Sequence, residues 1–161
     1  IIVGSKAQAG QYTKVGGLNA KIFVDAMDMH SPLVGAFTGL KEAKGKYALI
    51  LPCDAPFVSR EIVSLLFELC IDKSAVVPRW PNGYIEPLHA VYCVRRALDA
   101  AEKALGSGEL TMRAMVDRLR GVRYVSTLVL EQLDPELKTF FNLNTPLDLK
   151  KAEFLFRRKR E

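Results

Sequence analysis

Along this chain, short unbroken apolar runs alternate with longer stretches in which apolar residues recur every three or four positions. Ile1-Ile-Val-Gly4, Lys21-Ile-Phe-Val-Asp25, Tyr47-Ala-Leu-Ile-Leu51 and Ala75-Val-Val-Pro-Arg79 are too short for helices. They read as strands, and Tyr47–Leu51, a continuous apolar run with no alternation, suits a strand covered on both faces. Tyr47–Leu51 is the most apolar of them and is expected to be the central strand. Two helix starts are legible from their caps. Ser31 precedes Pro32 at a first helical position, predicting a helix to about residue 43. Ser59 opens residues 59–70, whose stripe of Ile62, Leu65, Leu66 and Leu69 marks a helix with one buried face. The spacing predicts helices over 95–105 and 110–119 around Gly106 and Gly108, a strand over 122–127, and a last helix from Thr145-Pro146 with Asp148 in its first turn.

Turn chemistry fills the gaps. A polar stretch at residues 8–14 and Gly16-Gly17 separate the first two strands. Pro81-Asn82-Gly83 is the strongest hairpin signal, and residues 84–92 should return as an antiparallel strand. Residues 134–140 carry no clear pattern, and Phe141-Asn-Leu-Asn144 reads as a short extended piece. No repeat, low-complexity segment or linker divides the chain, so residues 1–161 read as one domain. Strands alternating with helices predict an α/β fold with a mostly parallel sheet and one antiparallel hairpin.

The candidate chemistry sits where strands end. Pro52 removes a backbone donor and stops pairing, which delivers Cys53 and Asp54 to the carboxyl edge of the sheet. Ligands bind at that edge in open α/β sheets. A carboxylate held there can carry Mg²⁺ against a substrate phosphate; the alternative is that Asp54 caps a turn or the next helix. Asp25 ends another strand in the same way. Gly35, Ala36 and Gly39 leave one side of the first helix thin, with Gly39 suited to close packing on the sheet and Gly35 to a ligand near the helix start. Cys53 is expected to be a small buried apolar residue, and His89 a packed, hydrogen-bonded histidine. His30 lies in a loop near the site. Arg79, Trp80 and Asn82 either form a wall for a flat ring or pack the edge of the turn.

Composition adds limits. The 161 residues are 49% hydrophobic with a net charge of +5, enough chain for a real core. No apolar run approaches the roughly 20 residues of a membrane span, and the start has no signal-peptide pattern. Three cysteines with no paired spacing fit reduced thiols of a cytoplasmic protein better than disulfides or zinc. The modest charge suits a small polyanionic ligand and does not argue for nucleic acid; the basic end, Arg157-Arg-Lys-Arg160, reads as a solvated helix terminus. The opening strand, with no cap or loop before it, predicts an upstream strand, loop and helix of roughly 30 residues or more.

Several of these pieces together resemble the molybdenum cofactor guanylyltransferases, the MobA-like family of nucleotidyltransferases. They are Ser31-Pro-Leu-Val-Gly35, where the family favours Gly-Pro-Leu-Ala-Gly; Leu51-Pro-Cys-Asp-Ala-Pro-Phe57; Glu86-Pro-Leu-His-Ala-Val-Tyr92; and Phe141-Asn-Leu-Asn-Thr-Pro146. Val24-Asp25 matches the family's Asp ahead of the Gly-Pro-Leu helix. The resemblance implies a three-layer α/β/α, Rossmann-like fold and transfer of GMP from GTP to molybdopterin or its molybdenum form, with release of pyrophosphate. It implies that Asp54 holds Mg²⁺ as the catalytic residue, that Asp25, Ser31 and Gly35 bind the nucleotide with it, and that Asn142 and Asn144 lie across the cleft, near the cofactor substrate or the metal. It implies no nucleic-acid or membrane partner. Ser31 departs from the usual Gly. The family's triphosphate loop, Leu-x-Gly-Gly-x-Ser-x-Arg-x-Gly followed by Lys, is not among these residues, so the resemblance assigns the activity to a longer polypeptide. Rival readings are a cytidylyltransferase for the same cofactor, a sugar- or lipid-phosphate nucleotidyltransferase, and a non-catalytic module that carries the cofactor.

Overall fold

The computed structural model of the protein describes residues 1–7, 10, 20–27, 29 and 31–158, with Arg158 described by its backbone alone. The polar stretch at 8–14, the Gly16-Gly17 turn, His30 and the end of the basic tail fall almost wholly outside those residues.

Strands β1 (Ile2–Gly4) and β2 (Ile22–Val24) pair in parallel, Ile2 opposite Ile22. Helix α1 (Pro32–Glu42) follows as expected: Ser31 Oγ accepts from Leu33 N at 3.1 Å, and Pro32 occupies the first turn. Strand β3 (Tyr47–Ile50) leads to α2 (Arg60–Leu69), capped by Ser59 Oγ on Ile62 N at 3.2 Å. Strands β4 (Ala75–Arg79) and β5 (Ala90–Cys93) come next. Helices α3 (Val94–Gly106) and α4 (Met112–Asp117) precede β6 (Val122–Ser126) and the single-turn α5 (Thr127–Leu130). A 3-10 turn at Lys138–Phe140 occupies the stretch without clear pattern, and α6 (Pro146–Arg158) ends the described chain.

The larger sheet runs β3-β5-β4-β6. β5 is antiparallel to both β3 and β4, and β4 and β6 are parallel, so β3, β4 and β6 share one direction. Successive side chains of a strand point to opposite faces, and the core divides accordingly. Ala48, Ile50, Ala75, Val77, Ala90 and Tyr92 pack on α1, α3 and α4. Tyr47, Leu49, Val76 and Val91 pack with Ile62 and Leu66 of α2 and with Leu130. That is the expected three-layer α/β/α arrangement.

Three expectations change. β3 is not a central strand: among the described residues it borders the four-stranded sheet, is half-buried throughout and pairs only with antiparallel β5. Its free side faces a cleft of about 650 Å³ whose far wall is Ile1, Ile2 and Val3 and whose floor includes Ala36, Gly39 and Leu40. The run is apolar because α1, α2 and this cleft surround it. The return strand at 84–92 is broken. The Pro81-Asn82-Gly83 turn forms, with Gly83 at φ +86, where a glycine is favoured, and Ile85 bridges Arg79. Pro87 then interrupts the ladder, because it has no N–H to donate, and pairing resumes only at Ala90. Finally, Cys53 is exposed, since the turn after Pro52 lifts it out of the sheet; Cys70 is buried, and all three thiols are free. Burial pushes the Cys70 thiol up to about 11.

Candidate active site

Asp54 stands just past the carboxyl end of β3, in a turn bounded by Pro52 and Pro56. It is half-buried and lines the 650 Å³ cleft together with Cys53, Pro32, Gly35 and Leu88. Among the described residues its carboxylate takes part in no hydrogen bond, and the cap of α2 comes from Ser59 instead. The turn-capping alternative is thereby removed, and both oxygens remain available for a ligand. Its backbone carbonyl is engaged, accepting from Leu143 N at 2.9 Å.

That bond brings Phe141–Asn144 to the same edge. Asn142 is half-buried, and its Oδ1 is shielded from solvent with no partner. A buried polar atom without a partner is costly in a finished protein and is commonly satisfied by a ligand or ion. Asn144 is exposed, and its N–H donates to Asp148 Oδ2 at 3.2 Å. Asp148 also accepts from Thr145 N and Thr145 Oγ1, both at 2.8 Å, while Thr145 Oγ1 accepts from Asp148 N at 3.2 Å. This reciprocal cap fixes where α6 begins and so where the asparagine segment ends. The Thr145 hydroxyl bond, the largest influence, holds the Asp148 carboxyl below the usual carboxylate range.

On the α1 side, Asp25 N donates to Gly4 O at 3.1 Å as β2 ends. A Cβ on Gly35 would lie 3.7 Å from Asp25 Oδ1, so Gly35 and Asp25 adjoin. Asp25 opens into a neighbouring cleft of about 430 Å³ with Lys6. Ser31 is held by structural bonds: besides capping α1, its hydroxyl donates to Leu110 O at 2.5 Å. The structure therefore sets Gly35 beside Asp25 and in one cleft with Asp54, and ties the Asn142–Asn144 segment to the Asp54 turn through Leu143. The Ser31 hydroxyl is spent on the helix start.

Sequence reasoning missed the aromatic wall beside Asp54. Phe57 lies 4.8 Å from Phe156 and 5.8 Å from Phe141, centroid to centroid, and Lys151 Nζ sits over Phe141 at 5.3 Å. A second cleft of about 870 Å³ runs from Phe57 and Phe156 past Arg60 to Lys138. Phe57 stood in the strand-end motif, but its partners come from the far end of the chain. Trp80 does not offer a free face: its Nε1 donates to Glu86 Oε1 at 2.7 Å and its ring edge meets Phe140. Arg79 stacks over Tyr124 and Asn82 Oδ1 accepts from Tyr84 N at 3.0 Å, so the hairpin residues pack the turn. His89 is 3% exposed and edge-on to Phe140 at 5.2 Å, and neither ring nitrogen meets a partner in hydrogen-bond geometry. Glu86 Oε2 stands 4.0 Å from Nδ1, beyond hydrogen-bond reach; burial lowers the pKa of the ring, against the opposing pull of the Asp54 carboxylate.

The donor set suits a weakly held hard cation rather than a caged metal. No group of three His, Cys, Asp or Glu ligands forms among the described residues. Mg²⁺ typically uses one or two carboxylates and takes its remaining ligands from water and substrate phosphates. One unengaged carboxylate, Asp54, on an open cleft fits that pattern. No helix among the described residues is long and apolar enough to cross a membrane.

Residues 1–122 match the MobA-like NTP transferase domain. A probable molybdenum cofactor guanylyltransferase of Methanosarcina mazei is 39% identical over 125 residues, 78% of this chain and 55% of its own length. The molybdenum cofactor guanylyltransferase of Desulfosudis oleivorans is 38% identical over 138 residues, 85% of this chain and 67% of its own length. The chain thus spans between about half and two thirds of these curated relatives. Among solved structures, molybdopterin-guanine dinucleotide biosynthesis protein A from Archaeoglobus fulgidus superposes with a TM-score of 0.79 at 27% identity, covering 97% of this chain and 77% of that one. The 2-C-methyl-D-erythritol 4-phosphate cytidylyltransferase of Thermus thermophilus shares the fold, with a TM-score of 0.59 at 19% identity. A family model matched over three quarters of the chain, with relatives at 38–39% identity, settles the family: this chain belongs to the MobA-like NTP transferase domain family.

Proposed function

We propose that the polypeptide carrying this domain transfers GMP from GTP to molybdopterin, or to its molybdenum form, and releases pyrophosphate in the cytoplasm. The observation that supports the reading best is the unengaged carboxylate of Asp54 at the carboxyl edge of β3, lining a cleft shared with the glycine face of α1. In this proposal Asp54 holds Mg²⁺, Asp25 and Gly35 bind the nucleotide with it, the helix start at Ser31 contributes backbone amides, and Asn142 and Asn144 meet the cofactor substrate.

The chemistry asks little of the side chains. The attacking group is a phosphate monoester with a second pKa of about 6, largely dianionic at neutral pH. No general base is required, so His89, 3% exposed and not among the residues lining the cleft, need not be recruited. The requirement is to bring two polyanions together in line and to stabilise the charge that builds between them. Mg²⁺, when bound, supplies charge neutralisation between the reacting phosphates. Asp54 anchors it, and the bond from Leu143 fixes the turn on which Asp54 sits. A Gly-rich loop with lysine and arginine, contributed by the longer polypeptide, would hold the triphosphate against α1. The cleft lies between β1 and β3, whose facing edges are unpaired among the described residues.

A thermal-shift panel of GTP, CTP, ATP and UTP with Mg²⁺ on the full-length protein tests base choice. Saturating a single site adds about 2–3 kcal/mol, worth several degrees in a protein of this size. The proposal expects that shift for GTP and much less for the others. A larger shift with CTP would make it a cytidylyltransferase, and binding of molybdopterin without any nucleotide would make it a carrier module.

A further inference from the structure

The edge of the sheet opposite Asp54 has a different character. β3, β4 and β6 all begin there, and two open crevices, of about 580 and 620 Å³, meet at Arg96. The second is lined by Lys41, Lys46, Arg95 and Arg96 with no carboxylate. The first adds Arg118 and Arg120. Arg96 is anchored: its Nη1 donates to Ser74 Oγ at 3.2 Å, and that hydroxyl, 1% exposed as part of Ser74, donates in turn to the carbonyl of Arg120. Arg95 and Arg96 also stand in the first turn of α3, which has no acidic residue and receives no side-chain cap from Cys93. Cations at a helix N-terminus oppose the helix dipole. The bond to Ser74 offsets this for Arg96, but Arg95 takes part in no hydrogen bond or ion pair among the described residues, and a local rule broken without a visible internal gain is expected at a functional surface.

We propose that this basic edge is a docking surface for the acidic segment of a partner protein. The cations spread over two open crevices instead of converging in one enclosed pocket, which disfavours a compact anion as the occupant. Carboxylates are interleaved with them. Asp99 pairs with Lys103 at 2.8 Å and Glu109 pairs with Arg118. A continuous phosphate backbone would meet repulsion at both, whereas a protein segment rich in Glu and Asp with occasional Lys matches the alternation.

The test is fluorescence anisotropy of a labelled Glu-rich peptide interspersed with Lys, titrated with the full-length protein at low and physiological salt. Lys41→Glu, Arg95→Glu and Arg120→Glu together leave the anchored Arg96 in place. An equal charge change at exposed sites elsewhere, Lys21→Glu, Arg60→Glu and Lys150→Glu, is the control. Binding is expected to weaken at least about tenfold in the first triple variant and by no more than about twofold in the control. If charge reversal lowers the melting temperature, the alanine version of the same triple is used, with a loss of about fivefold expected. Equal losses in the two triples would overturn the proposal. So would tighter binding of inorganic tripolyphosphate, or of an oligonucleotide of the same net charge, through this edge.

Discussion

The N–H of Leu143 donates to the carbonyl oxygen of Asp54 at 2.9 Å, tying a segment near the end of the chain to the turn that carries the candidate metal ligand. The bond fixes that turn while leaving the Asp54 side chain uncommitted. Leu143→Pro removes the donor and is expected to cost about 1 kcal/mol of stability, the usual net worth of one hydrogen bond, and to slow transfer. Leu143→Ala keeps the donor and should retain transfer. Urea denaturation and single-turnover assays on the pair check this; equal transfer rates would show that the bond does not position the site.

Gly39 sets how closely α1 approaches β1. A Cβ there would meet Val3 Cγ2 at 3.4 Å, an ordinary contact with little room beyond it. Gly39→Ala should therefore stabilise the protein by about 0.5–1 kcal/mol through helix propensity. Gly39→Leu should destabilise it by about 1–3 kcal/mol through overpacking. Melting curves of both variants decide the matter, and a stabilising leucine would place α1 further from β1 than the structure has it.

The Thr145–Asp148 cap makes the asparagine segment sensitive to acid. Hydrogen bonding in the folded state holds the Asp148 pKa below its ordinary value of 3.8. A carboxyl with a depressed folded pKa contributes stability that is fully present above its unfolded pKa, and that contribution fades as pH falls through the lower, folded value. Urea midpoints of the wild type should thus drop more steeply below pH 4 than those of Asp148→Asn. Parallel curves would remove Asp148 from the account of acid sensitivity.

Local chemistry was the legible part of this fold. Ser31 with Pro32, Ser59 before its apolar stripe, and Thr145-Pro146 with Asp148 each announce a helix start within a few residues, and each cap forms. The strand-end position of Asp54 was readable because Pro52 must stop the ladder. Non-local arrangement was not readable. The run at Tyr47–Ile50 looks the same whether it lies mid-sheet or beside a cleft, since helices bury both faces either way. The break before Ala90, by contrast, was open to the same reasoning as Pro52, since Pro87 has no N–H for the ladder; the pairing of Phe57 with Phe156 was not, because it joins distant parts of the sequence. Cys53 misled because burial statistics favour an interior thiol, whereas a turn residue goes where the turn aims it. The basic edge is scattered along the chain as isolated Lys and Arg pairs, and only the shared direction of β3, β4 and β6 collects them.

The most direct test of the site is Asp54→Asn in the full-length protein, assayed for Mg²⁺-dependent guanylyl transfer alongside its melting temperature. Asp54 is half-buried with a carboxylate free of hydrogen bonds, so the change should leave stability within about 0.5 kcal/mol. Transfer should fall by about 10²–10³-fold or more. A folded variant that still transfers GMP at close to the wild-type rate would contradict the assignment of the metal to this aspartate.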